Sequence, residues 1–199
     1  MKDVLLILSG YVLGSMPWGY WLPRLLTGVN IRQVGSGNTG AANVWRTLGF
    51  KIGLSVALLD IAKGLAAALI ATLFADELVG VLAGIAALIG HWRPLFIGFA
   101  RGGKIVATTG GVALALVPLA TLAAAGVWIA TFLATRYTSV ASLLSAATLP
   151  LFALLFGASW PVVAFAAGAA VAIFALHRAN IGRLLSRTEN RFELGRRTT

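Results

Sequence analysis

Long apolar runs, separated by short polar or charged stretches, make up most of this chain. A helix needs about 20 predominantly apolar residues to cross a hydrocarbon core about 30 Å thick, and several runs approach that length. Glycine, proline and charged residues mark where the runs end. The pattern predicts an all-α, polytopic membrane protein with seven transmembrane helices, at residues 4–23, 52–74, 77–92, 105–117, 118–135, 139–157 and 160–177.

The stretch 105–135 carries no charged residue and can be divided in two ways. It forms either one long kinked helix or two spans that turn at Val117 and Pro118. A single span would move Arg136 and the C-terminal tail to the opposite side from the other basic residues. The positive-inside rule therefore favours two spans, an outside N-terminus and a basic cytoplasmic tail from about residue 178. The residues then assigned to the cytoplasmic side are Arg24, Arg32, Arg46, Lys51, Arg93, Arg101, Lys104, Arg136, Arg178, Arg183, Arg187, Arg191, Arg196 and Arg197.

The composition agrees with a membrane location. Hydrophobic residues make up 59% of the 199 residues, charged residues only 11%, and the mean hydropathy is +0.90. The net charge of +10 follows from topology and from attraction to anionic headgroups. Nucleic-acid binding is excluded, because the basic segments are short and tied to the membrane. We expect a single transmembrane domain over residues 1–199.

The loop between Arg32 and Gly49 is rich in glycine and small polar residues. Three glycines within six residues let the backbone approach a ligand, with polar side chains between them: Gly35, Ser36, Gly37, Asn38, Thr39 and Gly40. A helix beginning at Thr39 or Gly40 would place its N-terminus beside this turn, which favours anions. Arg46 is a candidate bidentate donor to the same anion. The alternative is a flexible turn that only joins two spans.

A second glycine-containing segment runs from Gly90 to Thr108. Gly102, Gly103 and Lys104 are expected to form a turn that opens a helix, bringing backbone amides, an ammonium group and the Thr108 hydroxyl around one point. For Lys104 the alternative is a topological charge, and we favour function. For His91 we favour structure, with a hydrogen bond to backbone at the helix end.

The third polar segment lies at the inner end of the last predicted span. His177 and Asn180 are spaced i, i+3, so both can face one ligand, and His177 can exchange a proton near neutral pH. We expect the arginines that follow to contact lipid headgroups. Within the spans, Asp60 and Lys63 are also spaced i, i+3 and are expected to pair or to reach the inner loops, in support of the site. Ser142 lies just inside the sixth span, where a lone helical serine usually bonds its own backbone.

These segments occur in a characteristic order. They are Gly35-Ser-Gly-Asn-Thr-Gly-Ala-Ala-Asn43 with Arg46 and Gly49, Asp60-x-x-Lys63-Gly64, Gly90-His91-x-x-Pro94 with Gly102-Gly103-Lys104 and Ala107-Thr108, and His177-Arg178-x-Asn180-Ile181. Over nearly the whole chain they resemble the bacterial membrane glycerol-3-phosphate acyltransferases that use acyl phosphate as donor, the PlsY family. The chain departs from the usual family pattern at Ala42, Arg101, Ile105 and Ala179, and Ile105 replaces a glycine.

The resemblance implies a multi-pass protein of the bacterial inner membrane. Its active site would face the cytoplasm. The resemblance also implies seven transmembrane helices and the reaction of acyl phosphate with glycerol 3-phosphate to give 1-acyl-glycerol 3-phosphate (lysophosphatidic acid) and phosphate, an early step of phospholipid synthesis. The residues that it makes catalytic are Ser36, Arg46, Lys104 and His177. Those expected to bind substrate are Gly37, Asn38, Thr39, Gly40, Asn43, Gly102, Gly103, Thr108, Ser142 and Asn180, with Asp60, Lys63 and His91 as support.

An acyl phosphate is already activated, so the protein must mainly orient two anions and stabilise developing negative charge. The chain has no cysteine, and the only acidic residues expected on the inner side are Asp60, Glu189 and Glu193, so no covalent thiol chemistry, metal or other cofactor is expected. We predict direct attack by the substrate hydroxyl, with either His177 or a substrate phosphate oxygen taking the proton. The acyl chain is expected to enter from the inner leaflet.

Two other classes of function are considered. A small anion or phosphate transporter would use the basic loops as a gate, but transporters usually bind near the midplane between repeats, and no internal repeat is found. A structural partner of other lipid enzymes predicts that loop substitutions change complex formation and leave catalysis untouched.

Overall fold

The computed structural model describes residues 1–192. Within them the chain folds entirely into helices and connecting loops, so the predicted all-α class is confirmed. The α-helices are α1 Lys2–Gly14, α2 Trp18–Thr27, α3 Ala41–Leu48, α4 Phe50–Phe74, α5 Glu77–Trp92, α6 Val106–Leu116, α7 Pro118–Thr135, α8 Thr138–Leu155, α9 Trp160–Leu176 and α10 Arg178–Leu185. Of the predicted basic tail, Glu193, Arg196 and Arg197 lie outside the described residues.

Six of the seven predicted spans correspond to single helices, α4 to α9, with closely similar ends. The proposed division of residues 105–135 is confirmed, since α6 ends at Leu116 and α7 begins at Pro118. Proline suits the first position of a helix, where its missing N–H would have no helical partner in any case.

The first predicted span, residues 4–23, is wrong as a single helix. α1 ends at Gly14 and α2 begins only at Trp18. Pro17 explains the break, because it cannot donate a backbone hydrogen bond and disfavours helical backbone at Met16. At the break the Met16 carbonyl oxygen accepts from the Trp18 amide at 3.1 Å and from the Lys63 Nζ at 2.9 Å.

Four helical segments are long and apolar enough to cross a membrane: Phe50–Phe74, Glu77–Ile97, Pro118–Thr135 and Thr138–Leu155. A fifth is added if α9 and α10, bent by 58° at their junction, count as one span. The helix α6 is apolar but shorter. Among the described residues there are thus four or five spans by length and composition, and the number seven stays a prediction.

Contacts divide the chain into two compact units, Met1–Leu116 and the residues from Val117 onward. In the first unit α4 packs against α1, α3, α5 and α6. Its contact with α6 is very close: a Cβ at Gly64 would lie 2.3 Å from the Thr108 carbonyl oxygen, and one at Gly111 would lie 2.0 Å from that of Ile61. Small residues let membrane helices approach in this way. The packing fixes the start of α6, which follows Lys104.

In the second unit α8 packs between α7 and α9. The chain after α10 folds back onto the end of α7. The Phe192 amide donates to the Arg136 carbonyl oxygen at 2.9 Å, and the Phe192 ring meets that of Phe132 edge-on, with centroids 5.5 Å apart. This return places residues 188–192 beside α10.

Ile105, between Lys104 and α6, adopts a backbone conformation that is unusual for its type. Its φ is +60°, and its side chain is only 3% exposed. The left-handed region costs an L-residue roughly 1–2 kcal/mol, and more where the side chain is β-branched. Burial of the isoleucine side chain offsets this cost, since truncating such a residue to alanine typically costs about 2–5 kcal/mol.

We expect Ile105→Gly to be less destabilising than Ile105→Ala, although glycine removes more of the side chain. Both variants lose the packing, but only glycine relieves the left-handed strain. Thermal unfolding in detergent would measure the order. The matched control is Val106, the half-buried first residue of α6 with ordinary helical backbone, where the glycine variant should be less stable than the alanine variant. If the glycine variant is less stable than the alanine variant at both positions, the backbone of Ile105 is not strained.

Candidate active site

The glycine-rich loop of the first unit is organised by one buried amide, that of Asn43 in α3. Its Oδ1 accepts a hydrogen bond from the Ser36 amide at 2.9 Å. Its Nδ2 lies within hydrogen-bonding distance of three carbonyl oxygens, those of Asn38 (3.0 Å), Val34 (3.1 Å) and Ile31 (3.4 Å). Asn43 therefore holds the loop, and its predicted contact with substrate stays a prediction.

The expectation that glycines shape this loop is confirmed at two positions. Gly35 and Gly37 have φ of +59° and +67°, which glycine adopts without strain. A Cβ at Gly35 would also lie 2.3 Å from the Asn43 Oδ1. The helix α3 begins at Ala41 directly after this turn, within two residues of the predicted start at Thr39 or Gly40, so its first amides lie beside the turn.

One hydrogen bond of Asn38 lies within the glycine-rich loop, and a second connects the loop to the second predicted segment. Its Oδ1 accepts from the Gly40 amide at 2.8 Å, and its Nδ2 donates to the Gly102 carbonyl oxygen at 3.2 Å. The Gly102 amide in turn donates to the Trp92 carbonyl oxygen at 2.9 Å. The two segments that the sequence singled out separately are therefore in direct contact within the first unit.

The polar groups of these two segments differ in exposure. Ser36 is exposed, and Arg46 and Lys104 are half-buried, so their side chains are accessible to a ligand. Thr39 and Thr108 are buried, and the Thr108 hydroxyl has no hydrogen-bond partner among residues 1–192. The arrangement supplies a guanidinium, an ammonium, a hydroxyl and backbone amides at the starts of α3 and α6, which is a donor set suited to phosphate.

The expected pairing of the intramembrane charges is confirmed, with the Lys63 Nζ 2.8 Å from the Asp60 Oδ1. The prediction for His91 was wrong about the partner of its side chain. In place of a backbone hydrogen bond at the helix end, the His91 Nδ1 lies 3.5 Å from the Asp60 Oδ1. A carboxylate attracts an imidazole N–H more strongly than a neutral carbonyl oxygen does.

In the second unit His177 lies at the bend between α9 and α10. Its Nδ1 is 2.8 Å from the Ile173 carbonyl oxygen. A carbonyl oxygen can only accept, so the proton of a neutral ring is on Nδ1 and the lone pair is on Nε2. Ser142 donates to the Thr138 carbonyl oxygen at 2.7 Å and accepts from the Trp128 indole at 3.2 Å. This is the backbone-bonded arrangement expected for a helical serine, and contact with substrate stays a prediction.

Asn180 has a partner that the sequence did not reveal, Glu189. The Asn180 Nδ2 donates to one carboxylate oxygen at 2.6 Å and the Arg183 Nε to the other at 2.7 Å. Burial by itself raises the pKa of Glu189, but the hydrogen bonds from Asn180 and Arg183 outweigh it, so the pKa is below its usual value. Glu189 thus fixes the orientation of the Asn180 side-chain amide. Arg183, which was expected to contact lipid headgroups, pairs with the Glu189 carboxylate. Glu189 is one of two acidic residues in an otherwise basic segment, and this was the available signal.

We expect Asn43→Asp to be more damaging than Asn43→Ala. Alanine removes the loop contacts, whereas aspartate turns a carboxylate oxygen towards the carbonyls that now accept from Nδ2, a repulsive and buried arrangement. Thermal unfolding in detergent and turnover should both fall further for the aspartate variant. If aspartate instead keeps the stability and turnover of the wild type, the amide donor does not hold the loop.

The sequence and the fold were compared with those of known proteins. Residues 4–187 match the family described as glycerol-3-phosphate acyltransferase. A glycerol-3-phosphate acyltransferase of Desulforudis audaxviator is 45% identical over 190 residues, covering 95% of each chain. That of Geobacter sulfurreducens is 42% identical over 195 residues, covering 97% of this chain and 99% of the relative.

Two solved structures of PlsY (YgiH), an integral membrane glycerol 3-phosphate acyltransferase, have the same fold. The glycerol 3-phosphate form superposes with a TM-score of 0.92 at 40% identity, covering 97% of this chain and 96% of that chain. The lysophosphatidic acid form gives a TM-score of 0.90 at 39% identity with the same coverage. The similarity therefore extends over nearly the whole length of the chain.

Proposed function

The chain belongs to the glycerol-3-phosphate acyltransferase family, and we propose that it transfers a fatty acyl group from acyl phosphate to the 1-hydroxyl of sn-glycerol 3-phosphate. The products are lysophosphatidic acid and inorganic phosphate. The observation that carries the proposal is the likeness to a solved acyltransferase whose two forms are named for glycerol 3-phosphate and lysophosphatidic acid. Those two compounds are the acceptor and the product of this reaction.

The protein is integral to a membrane, and we place it in the bacterial inner membrane with its active site facing the cytoplasm. Charge placement supports seven crossings, an outside N-terminus and a cytoplasmic tail. In this arrangement α9 crosses as part of its bent pair with α10, and α1 and α6 supply the two further crossings that are too short to qualify by length alone. The acyl donor and the lipid product then enter and leave from the inner leaflet, and membrane lipids surround the apolar helix faces.

In the proposed mechanism Ser36, Arg46 and Lys104 hold substrate phosphate together with the amides of residues 37–40. Guanidinium and ammonium donors form charge-assisted hydrogen bonds with phosphate oxygens. Fixed donors of this kind orient the reactants and stabilise the charge that develops on the carbonyl and on the leaving phosphate. The connection of the loops through Asn38 and Gly102 supports their action on one ligand.

The reaction needs no covalent acyl-enzyme. The 1-hydroxyl oxygen attacks the acyl carbon, the new ester C–O bond forms, and the bond between that carbon and the phosphate oxygen breaks. The electron pair of the broken bond leaves with inorganic phosphate. We assign the hydroxyl proton to His177 Nε2, which carries the lone pair because Nδ1 faces a carbonyl oxygen. Asn180, held by Glu189, is a candidate donor to the acceptor substrate.

The test uses purified protein reconstituted in lipid vesicles, supplied with acyl phosphate and radiolabelled glycerol 3-phosphate. We expect labelled lysophosphatidic acid that forms only when both substrates are present. Uptake of labelled glycerol 3-phosphate or phosphate into the vesicles without an acylated product would favour a transporter and contradict the proposal.

A further inference from the structure

A buried cluster of charged groups in the first unit takes no direct part in the proposed reaction. It consists of Asp60 and Lys63 in α4, His91 in α5 and the Met16 carbonyl oxygen at the break between α1 and α2. As whole residues, Asp60, Lys63 and His91 are 2%, 4% and 7% exposed. Charges inside membrane helices are costly, and a buried ion pair is often no more stable than apolar residues of similar size. Stability alone therefore does not explain the cluster.

The cluster joins three elements of the bundle. Lys63 donates to Met16 at 2.9 Å and pairs with Asp60 at 2.8 Å. Asp60 also faces the His91 Nδ1 at 3.5 Å. The segment between α1 and α2, the middle of α4 and the end of α5 are thus connected through a continuous series of polar contacts.

The His91 side chain continues this series to the turn that precedes Lys104. A Cβ at Gly103 would lie 2.0 Å from the His91 Nε2 and 2.7 Å from its Cε1, so the ring lies directly against the Gly103 backbone. The His91 carbonyl oxygen also accepts from the Gly103 amide at 3.3 Å. The imidazole therefore sits between the Asp60 carboxylate and the residue before Lys104.

We propose that Asp60, Lys63 and His91 form a positioning relay, in which the buried ion pair orients the His91 ring and the ring sets the Gly103–Lys104 turn. The inference rests on the proposed function of Lys104 as a phosphate ligand. Lysine has a long, flexible side chain, so the direction of its ammonium depends on a fixed backbone. His91 is a positioning residue, because it is buried and acts through Gly103. Small misplacements of reacting groups can cost about 100-fold in rate.

Substitutions of His91 separate orientation by Asp60 from simple space filling. His91→Gln keeps a donor for Asp60 and an extended side chain, whereas His91→Phe keeps a ring but loses the donor. We expect the glutamine variant to retain most of the turnover. The phenylalanine variant should show a rise of about tenfold or more in KM for glycerol 3-phosphate and a lower kcat. If the kcat and KM of His91→Phe equal those of the wild type, the relay is overturned.

The ion pair is tested by a variant that leaves no unpaired charge, Asp60→Asn with Lys63→Met. Its effect on KM should resemble that of His91→Phe, and adding His91→Phe to it should bring little further loss, because contacts in one series are not additive. Full additivity would overturn the relay. Ser55→Ala, at an exposed position of α4 where the hydroxyl donates to the Lys51 carbonyl oxygen of the same helix, is the matched control and should behave as wild type.

Binding of glycerol 3-phosphate without acyl donor distinguishes failure of the relay from failure of the proposed function. Isothermal titration calorimetry of the wild type and the two His91 variants needs no turnover. Weaker binding, by about tenfold, in His91→Phe but not in His91→Gln, at similar thermal midpoints, supports the relay even if no lysophosphatidic acid forms. Equal binding by all three proteins overturns the relay and leaves the proposed function standing if the wild type forms product.

Discussion

Replacing Lys104 by alanine is expected to lower the turnover of acyl transfer by about 100- to 1,000-fold while the protein remains folded. The lysine is half-buried and lies between the Gly102–Gly103 turn and α6. In the proposed reaction its ammonium stabilises negative charge on substrate phosphate, and alanine offers no donor in its place. Lys104→Arg keeps the charge but presents a larger planar group, so we expect partial activity. Release of inorganic phosphate in detergent measures the effect.

A matched control for Lys104 is Lys51, which is exposed in the first turn of α4. Lys51→Ala removes the same charge from the protein, and its turnover should stay close to that of the wild type. Equal losses in the two alanine variants would mean that overall positive charge, and not a phosphate ligand at Lys104, supports activity. Near-normal turnover of Lys104→Ala would refute its role directly.

The second large effect is expected at His177. His177→Ala should lower turnover by about 100-fold or more, the usual contribution of a positioned general base. The Nδ1 proton is directed at the Ile173 carbonyl oxygen at 2.8 Å, so Nε2 is the nitrogen that can take the proton of the substrate hydroxyl. Steady-state turnover at saturating concentrations of both substrates measures this loss.

His177→Asn separates the base from the structural role of the ring. The asparagine amide nitrogen can take the place of Nδ1 and donate to the Ile173 carbonyl oxygen, but no atom replaces Nε2. We expect the asparagine variant to be as stable as the wild type and as inactive as the alanine variant. If either variant turns over nearly normally while Lys104→Ala and Arg46→Ala are inactive, a substrate phosphate oxygen takes the proton.

Local features of the sequence predicted most of the helices. Runs of apolar residues give α4 to α9 within a few residues, and Pro118 marks the division between α6 and α7. The starts of α3 and α6 after glycine turns were also predictable, because glycine and helix start signals act over a few residues. The prediction of one helix over residues 4–23 was wrong because Pro17 interrupts the helix within a continuous apolar run.

The partners of the polar side chains were much less predictable, since they depend on contacts between distant parts of the chain. Asn43 could be recognised as polar, but its bonds to four residues of the loop exist only once the loop closes. His91 was expected at a backbone carbonyl and instead faces Asp60, 31 positions earlier. Glu189 received no structural role because a charged residue in a basic tail is normally solvated.

The central claim is direct acyl transfer between two phosphate-bearing substrates, and its most direct measurement is a product balance. Purified protein is given acyl phosphate with a labelled acyl chain, with and without glycerol 3-phosphate. The account predicts equal amounts of labelled lysophosphatidic acid and inorganic phosphate when both substrates are present, with no label retained on the protein. Phosphate release without lysophosphatidic acid, or label trapped on the protein when the acceptor is omitted, would contradict it.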